Sequence, residues 1–385
     1  MAGVSYALAN FVDGGPILDL PIMTGADWGA QLNRGDSLSC KVDAHDDDVR
    51  ALDLPSSTEP KKTVLLARND ADNILAWGII DEREWDEDNQ TLELTAGGVW
   101  SSYFGKTIIA PAAALTAPLT TLDAEGFPIS NPALDTNLAG WTLGTIGKKL
   151  IEQRLAWPGA PTAFVLPPDE VGLAERNYLF PSFKSIGSAL TDLTGVENGP
   201  DFAFDARRAP NGLNLEYVLR HSTVASPRIG SYVGAWSLSE LTPLSKLKVV
   251  DSGDDLGSAA WMSAGRSSGA ALVSRALNPA LIALSGYPPI DIVDTSHSDV
   301  SIQQTLDDYA AELIGYGATL TRDVSFTVRA DAGLALGQYR PGDTASIDPD
   351  PGHPYLRSSI PIRITSISGD EAGLDVKVGC VVLDA

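Results

Sequence analysis

Residues 62–103 read KTVLLARNDADNILAWGIIDEREWDEDNQTLELTAGGVWSSY, and this stretch decides the fold. Three apolar runs are separated by two polar, acidic clusters. Thr63 to Arg68 is the first run, and Asn69-Asp70-Ala71-Asp72-Asn73 is turn chemistry, because Asn and Asp bond their own backbone and tolerate left-handed conformations. In the second run, Ile74 to Asp81, Leu75, Trp77 and Ile79 share one face and Ile74, Ala76 and Ile80 the other, so both faces are apolar. Asp86 to Asn89 turns the chain again. Thr91-Leu92-Glu93-Leu94-Thr95-Ala96 then alternates with period two, as a half-buried strand does. The stretch predicts an antiparallel meander whose middle strand is buried on both faces.

Working outward, the same alternation returns at Ser37–Val42, Leu213–Leu219, Val324–Val328, Ile360–Ile364 and Leu374–Val382. Ile367 falls out of phase with Ile364, which predicts a bulge. The patterned C-terminus predicts a strand tied into a sheet. Leu18, Leu20 and Ile22 alternate around Pro21, as on an edge strand, whereas the rest of residues 1–35 is loosely patterned. Asp201–Ala206 pairs with Leu213–Arg220 as a hairpin, and Ala110–Pro132, rich in Ala, Thr and Pro, reads as an irregular excursion. Three helices stand out. In Thr142–Trp157, Leu143, Ile146, Leu150 and Ile151 form the stripe and Lys148, Lys149 and Glu152 the polar side. Ser182–Leu193 is the second. The third opens on Ser301-Ile302-Gln303-Gln304, which fits a capping box, and ends at Gly315 or Gly317.

The chain of 385 residues has room for two or three cores. Its 36 Gly and 25 Pro imply many turns and short strands. The net charge of −23 is offset by no Lys/Arg cluster, which argues against a protein that grips nucleic acid by its phosphates. No apolar run approaches the ~18 residues of a membrane helix, and no signal-peptide pattern opens the chain. Cys40 and Cys380 both lie in alternating runs and read as buried free thiols of a protein folded in a reducing cytoplasm.

Chemistry-bearing clusters are few. Asp43-Ala44-His45-Asp46-Asp47-Asp48 is the densest carboxylate run, but the central Gly and distal Glu of a calcium loop are missing, so it reads as a solvated acidic loop. Asp348-Pro349-Asp350-Pro351-Gly352-His353-Pro354 offers carboxylates and an imidazole, yet reads first as a rigid turn. Asp294, Ser296 and His297 are sequence neighbours, whereas a catalytic triad converges from separate elements. Arg34-Gly35-Asp36 is ordinary turn chemistry before a strand. Trp77, Trp85 and Trp100 offer a sugar platform or, more simply, core and interface anchors. No phosphate loop, paired-cysteine motif or zinc-protease motif occurs. No catalytic, cofactor-binding or metal-binding residue is assigned, no cofactor is expected, and the chain is read as a non-enzyme.

Gly35-Asp36-Ser37-Leu38-Ser39-Cys40 echoes Gly342-Asp343-Thr344-Ala345-Ser346-Ile347, each followed by an acidic or Pro-rich loop and then long strands. Two readings stay open: two copies of one β-barrel module, or a common way of starting a strand.

The order of several short runs carries a resemblance. Leu65-Leu66-Ala67-Arg68-Asn69, Trp77-Gly78-Ile79-Ile80, Leu92-Glu93-Leu94 and Tyr103-Phe104, then Ile186-Gly187-Ser188-Ala189-Leu190, Gly199-Pro200-Asp201-Phe202-Ala203-Phe204-Asp205 and the terminal Gly342-Asp343 and Ile362-Arg363-Ile364, together resemble minor tail proteins of siphophages of actinobacteria, including their tail-tip or baseplate hubs. Roughly residues 35 to 385 are covered. Such hubs are similar to the central hub of contractile tails.

The resemblance implies a mainly β chain with a few helices (α+β): two tube-like antiparallel β-barrel domains with inserted α/β segments. Residues 1–110 would form the first barrel, completed by about 200–235; residues 111–199 an inserted helix-containing domain; and residues 236–385 the second barrel, with a helix insertion around 301–315. It implies a structural hub in the virion tail tip, assembled in the host cytoplasm: a homo-oligomer, a trimer, forming a ring between the tail tube and the tip. Its partners would be the distal tail protein, the tape-measure protein and other minor tail proteins, with DNA passing through unbound and no membrane contact. The alternatives are a tail-associated cell-wall hydrolase or host-glycan binder, and a capsid or neck component.

Overall fold

The computed structural model describes residues 3–23, 25–196, 199–238, 244–267, 270–297, 303–318, 320–331, 333–356 and 358–383. The chain divides into two compact units, Met1–Leu247 with Ser325–Ala385, and Lys248–Val324. Strand dominates, and most pairs are antiparallel.

The first unit is organised on the predicted meander. Thr63–Asn69, Ile74–Asp86 and Thr91–Gly97 pair in succession. The Asn69–Asn73 turn closes as its composition requires: Asp72 takes a positive φ of 61°, and the Asn69 side chain accepts from the N–H groups of Ala71 and Asn73 at 3.1 and 2.9 Å. The middle strand is buried from Leu75 to Ile80 and emerges beyond it. From this centre one 13-stranded sheet extends both ways. On one side lie Val4–Asn10 and, at the edge, Leu18–Leu20. On the other lie Ser37–Asp43, Asp27–Gln31, Ile360–Asp370 and Asp375–Val382, then Thr321–Arg329 and Leu244–Ser252, which carry the chain out of and into the second unit. Thr344–Asp348 pairs with Ile360–Asp370 and, in parallel, with Tyr232–Ser237. Among the described strands this pairing is an open path rather than a ring. The bulge falls between Ile364 and Ser366, and it puts Ile367 back into the core.

Two strands lay hidden in the loosely patterned N-terminus. Val4–Asn10 is buried on both faces, so its Tyr-Ala-Leu-Ala run has no alternation to reveal it. Asp27–Gln31 is only five residues long and contains Gly29, yet it joins Ser37–Asp43 to Ile360–Asp370.

Two helices close the main core. Leu143–Leu155 starts where the Thr142 hydroxyl accepts from the Thr145 N–H at 3.2 Å, and Ile186–Thr194 where the Ser185 hydroxyl accepts from Ser188 at 3.1 Å. Ile146, Leu150 and Ile151 meet Ile186, Leu190 and Leu193 around Phe202 and Tyr217. Each such buried side chain contributes about 1.5–3 kcal/mol. Gly147 costs the helix propensity, but a Cβ there would stand 2.3 Å from the Phe202 ring, so the close packing requires it. The helix corrects one expectation: Lys148 is buried, not on a polar face, with its ammonium 2.6 Å from Asp169. The predicted capping residue Ser301 lies outside the described residues; the helix itself runs Gln303–Tyr316. The Ala110–Pro132 excursion contains a short hairpin, Thr120–Leu122 with Pro128–Ser130. Cys40 and Cys380 are free and buried.

Candidate functional site

The two Gly-Asp echoes use one physical device. Each opens a strand, Ser37–Asp43 or Thr344–Asp348, and each turns its carboxylate inward onto backbone N–H groups. Asp36 accepts from the Trp77 N–H at 3.1 Å and from Gln31. Asp343 accepts from Ser231 at 2.9 Å and Arg340 at 3.0 Å. The preceding glycine allows the approach in both cases. A Cβ on Gly35 would meet the Gly98 backbone at 3.2 Å, and Gly342 holds a φ of 102°.

Asp36 opens onto a cavity of about 110 Å³ shared with Trp77, Trp100, Asp205 and Arg340. Burial pushes the Asp36 carboxyl up to about 8, against the N–H groups of Trp77 and Gln31, which favour its charged form; Asp205 adds to the rise. Part of Asp36 keeps access to the cavity. Asp205 is held by Arg340 at 3.1 Å and by a two-pronged contact with Arg220, whose Nη2 lies 3.1 Å away. Trp77 forms the apolar wall, stacked on Tyr217 at 4.5 Å and 13°, with its indole N–H donating to the Phe204 carbonyl at 2.7 Å.

A second node is buried completely. The Arg363 guanidinium grips Asp201 through both terminal nitrogens, Nη1 to Oδ1 at 3.2 Å, and donates to the carbonyls of Gly342 at 3.3 Å and Ile229 at 3.4 Å. Asp201 also accepts from the Ile229 N–H at 3.1 Å and the Asn33 amide at 3.3 Å. Its own N–H donates to Ser222 Oγ at 2.7 Å. Three segments far apart in sequence meet on one carboxylate.

Asp36 and Asp205 are two carboxylates in one cavity, one held protonated near neutrality, which is the raw material of acid–base chemistry. The space decides otherwise. A site for even a drug-sized ligand needs about 300–1,000 Å³, and here there is room for a few waters. Among the described residues the lining holds no Ser, Cys or His to act as nucleophile or imidazole base. Asp205 is occupied by its arginines. The arrangement locks strand starts together.

The clusters singled out in the sequence are placed as follows. In the Asp43–Asp48 run, Asp43 accepts from His45 N–H at 2.8 Å, and Asp46 caps the short helix Asp47–Arg50 through the N–H groups of Asp48 and Val49. Among the described residues no group of three or more His, Cys, Asp or Glu is arranged to hold a metal ion. Asp294 accepts from the Ser296 hydroxyl at 2.7 Å as a local turn; the His297 side chain lies outside the described residues. His353 accepts on Nδ1 from the Leu356 N–H at 2.9 Å, so its imidazole stiffens the Pro-rich turn. Trp77 and Trp100 are buried and only Trp85 is well exposed, so the three form no common platform. Asp36 of the Arg-Gly-Asp tripeptide faces inward. Sequence reasoning missed Asp36, Asp201 and Arg363 as structural groups; the available signal was the repeated Gly-Asp, which marks a carboxylate beside a close backbone approach.

No protein-family model and no curated protein matches the sequence. Solved structures do match its fold. A tail protein from Neisseria meningitidis superposes with a TM-score of 0.55 at 14% identity, over 98% of this chain and 97% of that one. The fold is shared with phage tail proteins. The 43 kDa tail protein of prophage MuSo2 from Shewanella oneidensis gives 0.55 at 13% identity, over 98% of both chains. A component of the Escherichia coli type VI secretion system, described as structurally similar to phage T4 tail proteins, gives 0.50 at 9% identity, over 94% of this chain and 74% of that one. At such identities the likeness is one of fold. These neighbours are tail and secretion-machine components.

Proposed function

We propose that this chain is a structural tail-tip or baseplate hub of a long, non-contractile phage tail. Three copies form a ring that joins the end of the tail tube to the tip and surrounds the channel for DNA and the tape-measure protein. The observation that carries this reading is the agreement in fold with two tail proteins, one of them from a prophage, along almost the whole of both chains. In this reading residues 1–110, completed by about 200–235, and residues 236–385, with a helix insertion around 301–315, are the two tube-like modules, and residues 111–199 are inserted between them. The distal tail protein and the tape-measure protein are its contacts above and within, and other minor tail proteins its contacts below. The chain turns over no substrate.

The net charge of −23 has a use in such a ring. Acidic side chains facing the channel repel the phosphates of the genome, so DNA passes without sticking. The test is cryo-EM of virions that carry this protein and of particles that lack it. Density for the chain as a ring at the distal end of the tube is expected, with tails that lack a tip in its absence. Location in the capsid or neck, or a channel lined by Lys and Arg, would sink the corresponding part of the reading.

A further inference from the structure

Within the unit Lys248–Val324 a three-stranded sheet packs the helix Gln303–Tyr316 on one face, and the unit also holds the short helix Pro279–Ala283. Its strands lie in the order Ala270–Leu277, Ala259–Ser267, Asp291–His297, and the last two are parallel. Met262, Ala264, Leu272 and Ala276 point towards the helix Gln303–Tyr316, where Leu306 and Ala310 meet them. Alternate residues point the other way. Trp261 stands opposite Arg275 on one neighbour and Val293 on the other, with Val273 and Leu277 on the diagonals. Trp261 is 41% exposed, Val273 67%, Leu277 56% and Val293 68%. The Trp261 indole donates to Asp291 Oδ1 at 2.8 Å on the same face, so the patch is an apolar row that carries Trp, Arg275 and one carboxylate; Trp and Arg are the residue types enriched at interface hot spots. Arg275 is exposed and has no ion-pair partner among the described residues.

The other side of the same unit carries the complementary chemistry. Gln304, Asp308 and Ala311 are exposed and fall at i, i+4 and i+7, on one outward stripe of the helix, with Glu312 beside them. Gln304 Nε2 donates to Asp308 Oδ1 at 2.9 Å, which orients the carboxylate. The helix contains no Lys or Arg.

We propose that a second copy of this chain covers the open face: the outer stripe of helix Gln303–Tyr316 of one copy lies on the sheet of the next, and Asp308 and Glu312 meet its Arg275. The sheet then has a helix on each face, the layered arrangement its apolar rows call for. Every copy offers both halves, so the contact is head-to-tail, the kind that builds a ring when the rotation between copies closes. Two chains of net charge −23 repel at a distance, so a contact between them has to be specified by local opposite charge, and this patch supplies it. The inference rests on the ring-forming reading above and names the surfaces that form the ring.

The test uses the full-length chain in sedimentation velocity and native mass spectrometry between about 1 and 100 μM. Wild type is expected to associate. Arg275→Glu is expected to raise the dissociation constant by about 100-fold, and the pair Asp308→Arg with Glu312→Arg to do the same. The combined triple variant restores opposite charges and is expected to recover to within about tenfold of wild type. Circular dichroism of each single-side variant checks that it folds. A wild type that stays monomeric, an Arg275→Glu chain that associates like wild type, or a triple variant without recovery would each overturn the contact. Position in the virion is measured separately, so a hub that assembles through another face is told apart from a chain that is no hub.

Discussion

Arg363→Met is the perturbation that tests the buried node most directly. The change keeps a long, apolar stem and removes the guanidinium. It leaves the Asp201 carboxylate, which is 1% exposed, with the Ile229 N–H and the Asn33 amide but without its bidentate cation. It also strips the carbonyls of Gly342 and Ile229 of a donor. Breaking a buried pair from one side costs about 3–5 kcal/mol. Arg228, 3.6 Å from the same carboxylate but half exposed, offsets a part, so about 3 kcal/mol is expected. Urea unfolding followed by tryptophan fluorescence measures it. Asp201→Leu is expected to cost a similar amount by leaving the cation buried and alone. The double variant replaces both charges with apolar groups and should cost less than the sum of the single losses by about 2 kcal/mol. A loss below about 1 kcal/mol for Arg363→Met, or single losses that add to within about 0.5 kcal/mol, would refute the claim that one carboxylate ties the strand Ile360–Asp370 to the segments around Asn33 and Ile229.

Changes at three further residues probe the neighbouring cavity. The Asp36 carboxyl is held up at about 8 in the fold, so the folded chain binds a proton that the unfolded chain has already released. Its contribution to stability is therefore complete below the ordinary carboxylate range and is lost as pH rises towards 8. Asp36→Asn should gain on wild type across that interval in urea titrations at several pH values, and parallel curves would contradict the burial argument. Trp77→Ala should cost about 3–5 kcal/mol through the lost Tyr217 stack and cavity; Trp77→Phe, which loses chiefly the indole bond to the Phe204 carbonyl, should cost about 1 kcal/mol beyond its packing change, and equal losses would mean that the packing reading is wrong. Gly98→Ala puts a methyl 2.2 Å from the Asp36 backbone nitrogen and 2.6 Å from Gly35 Cα, neither of which is a flexible side chain. A loss of about 1–3 kcal/mol is expected by thermal melting, and a neutral outcome would show that the strand start has slack.

What the sequence makes legible here follows from how each signal is written. The meander was readable because its turns are spelled in Asn and Asp and its outer strand, Thr91–Gly97, alternates. The helices Leu143–Leu155 and Ile186–Thr194 were readable because their stripes face one core. Val4–Asn10 escaped because a strand buried on both faces has no period-two contrast, and Asp27–Gln31 because five residues with a glycine carry too little pattern. Lys148 was misplaced because periodicity sorts residues by polarity, whereas a buried lysine is decided by a partner 21 residues away, Asp169. The polar nodes were invisible for a similar reason: Asn33, Asp201 and Arg363 are separated by more than a hundred residues at each step, and nothing local marks them. Only the Gly-Asp repeat gave a local hint. Its two copies do the same physical work, a carboxylate turned onto backbone N–H groups beside a glycine that lets the chain approach closely.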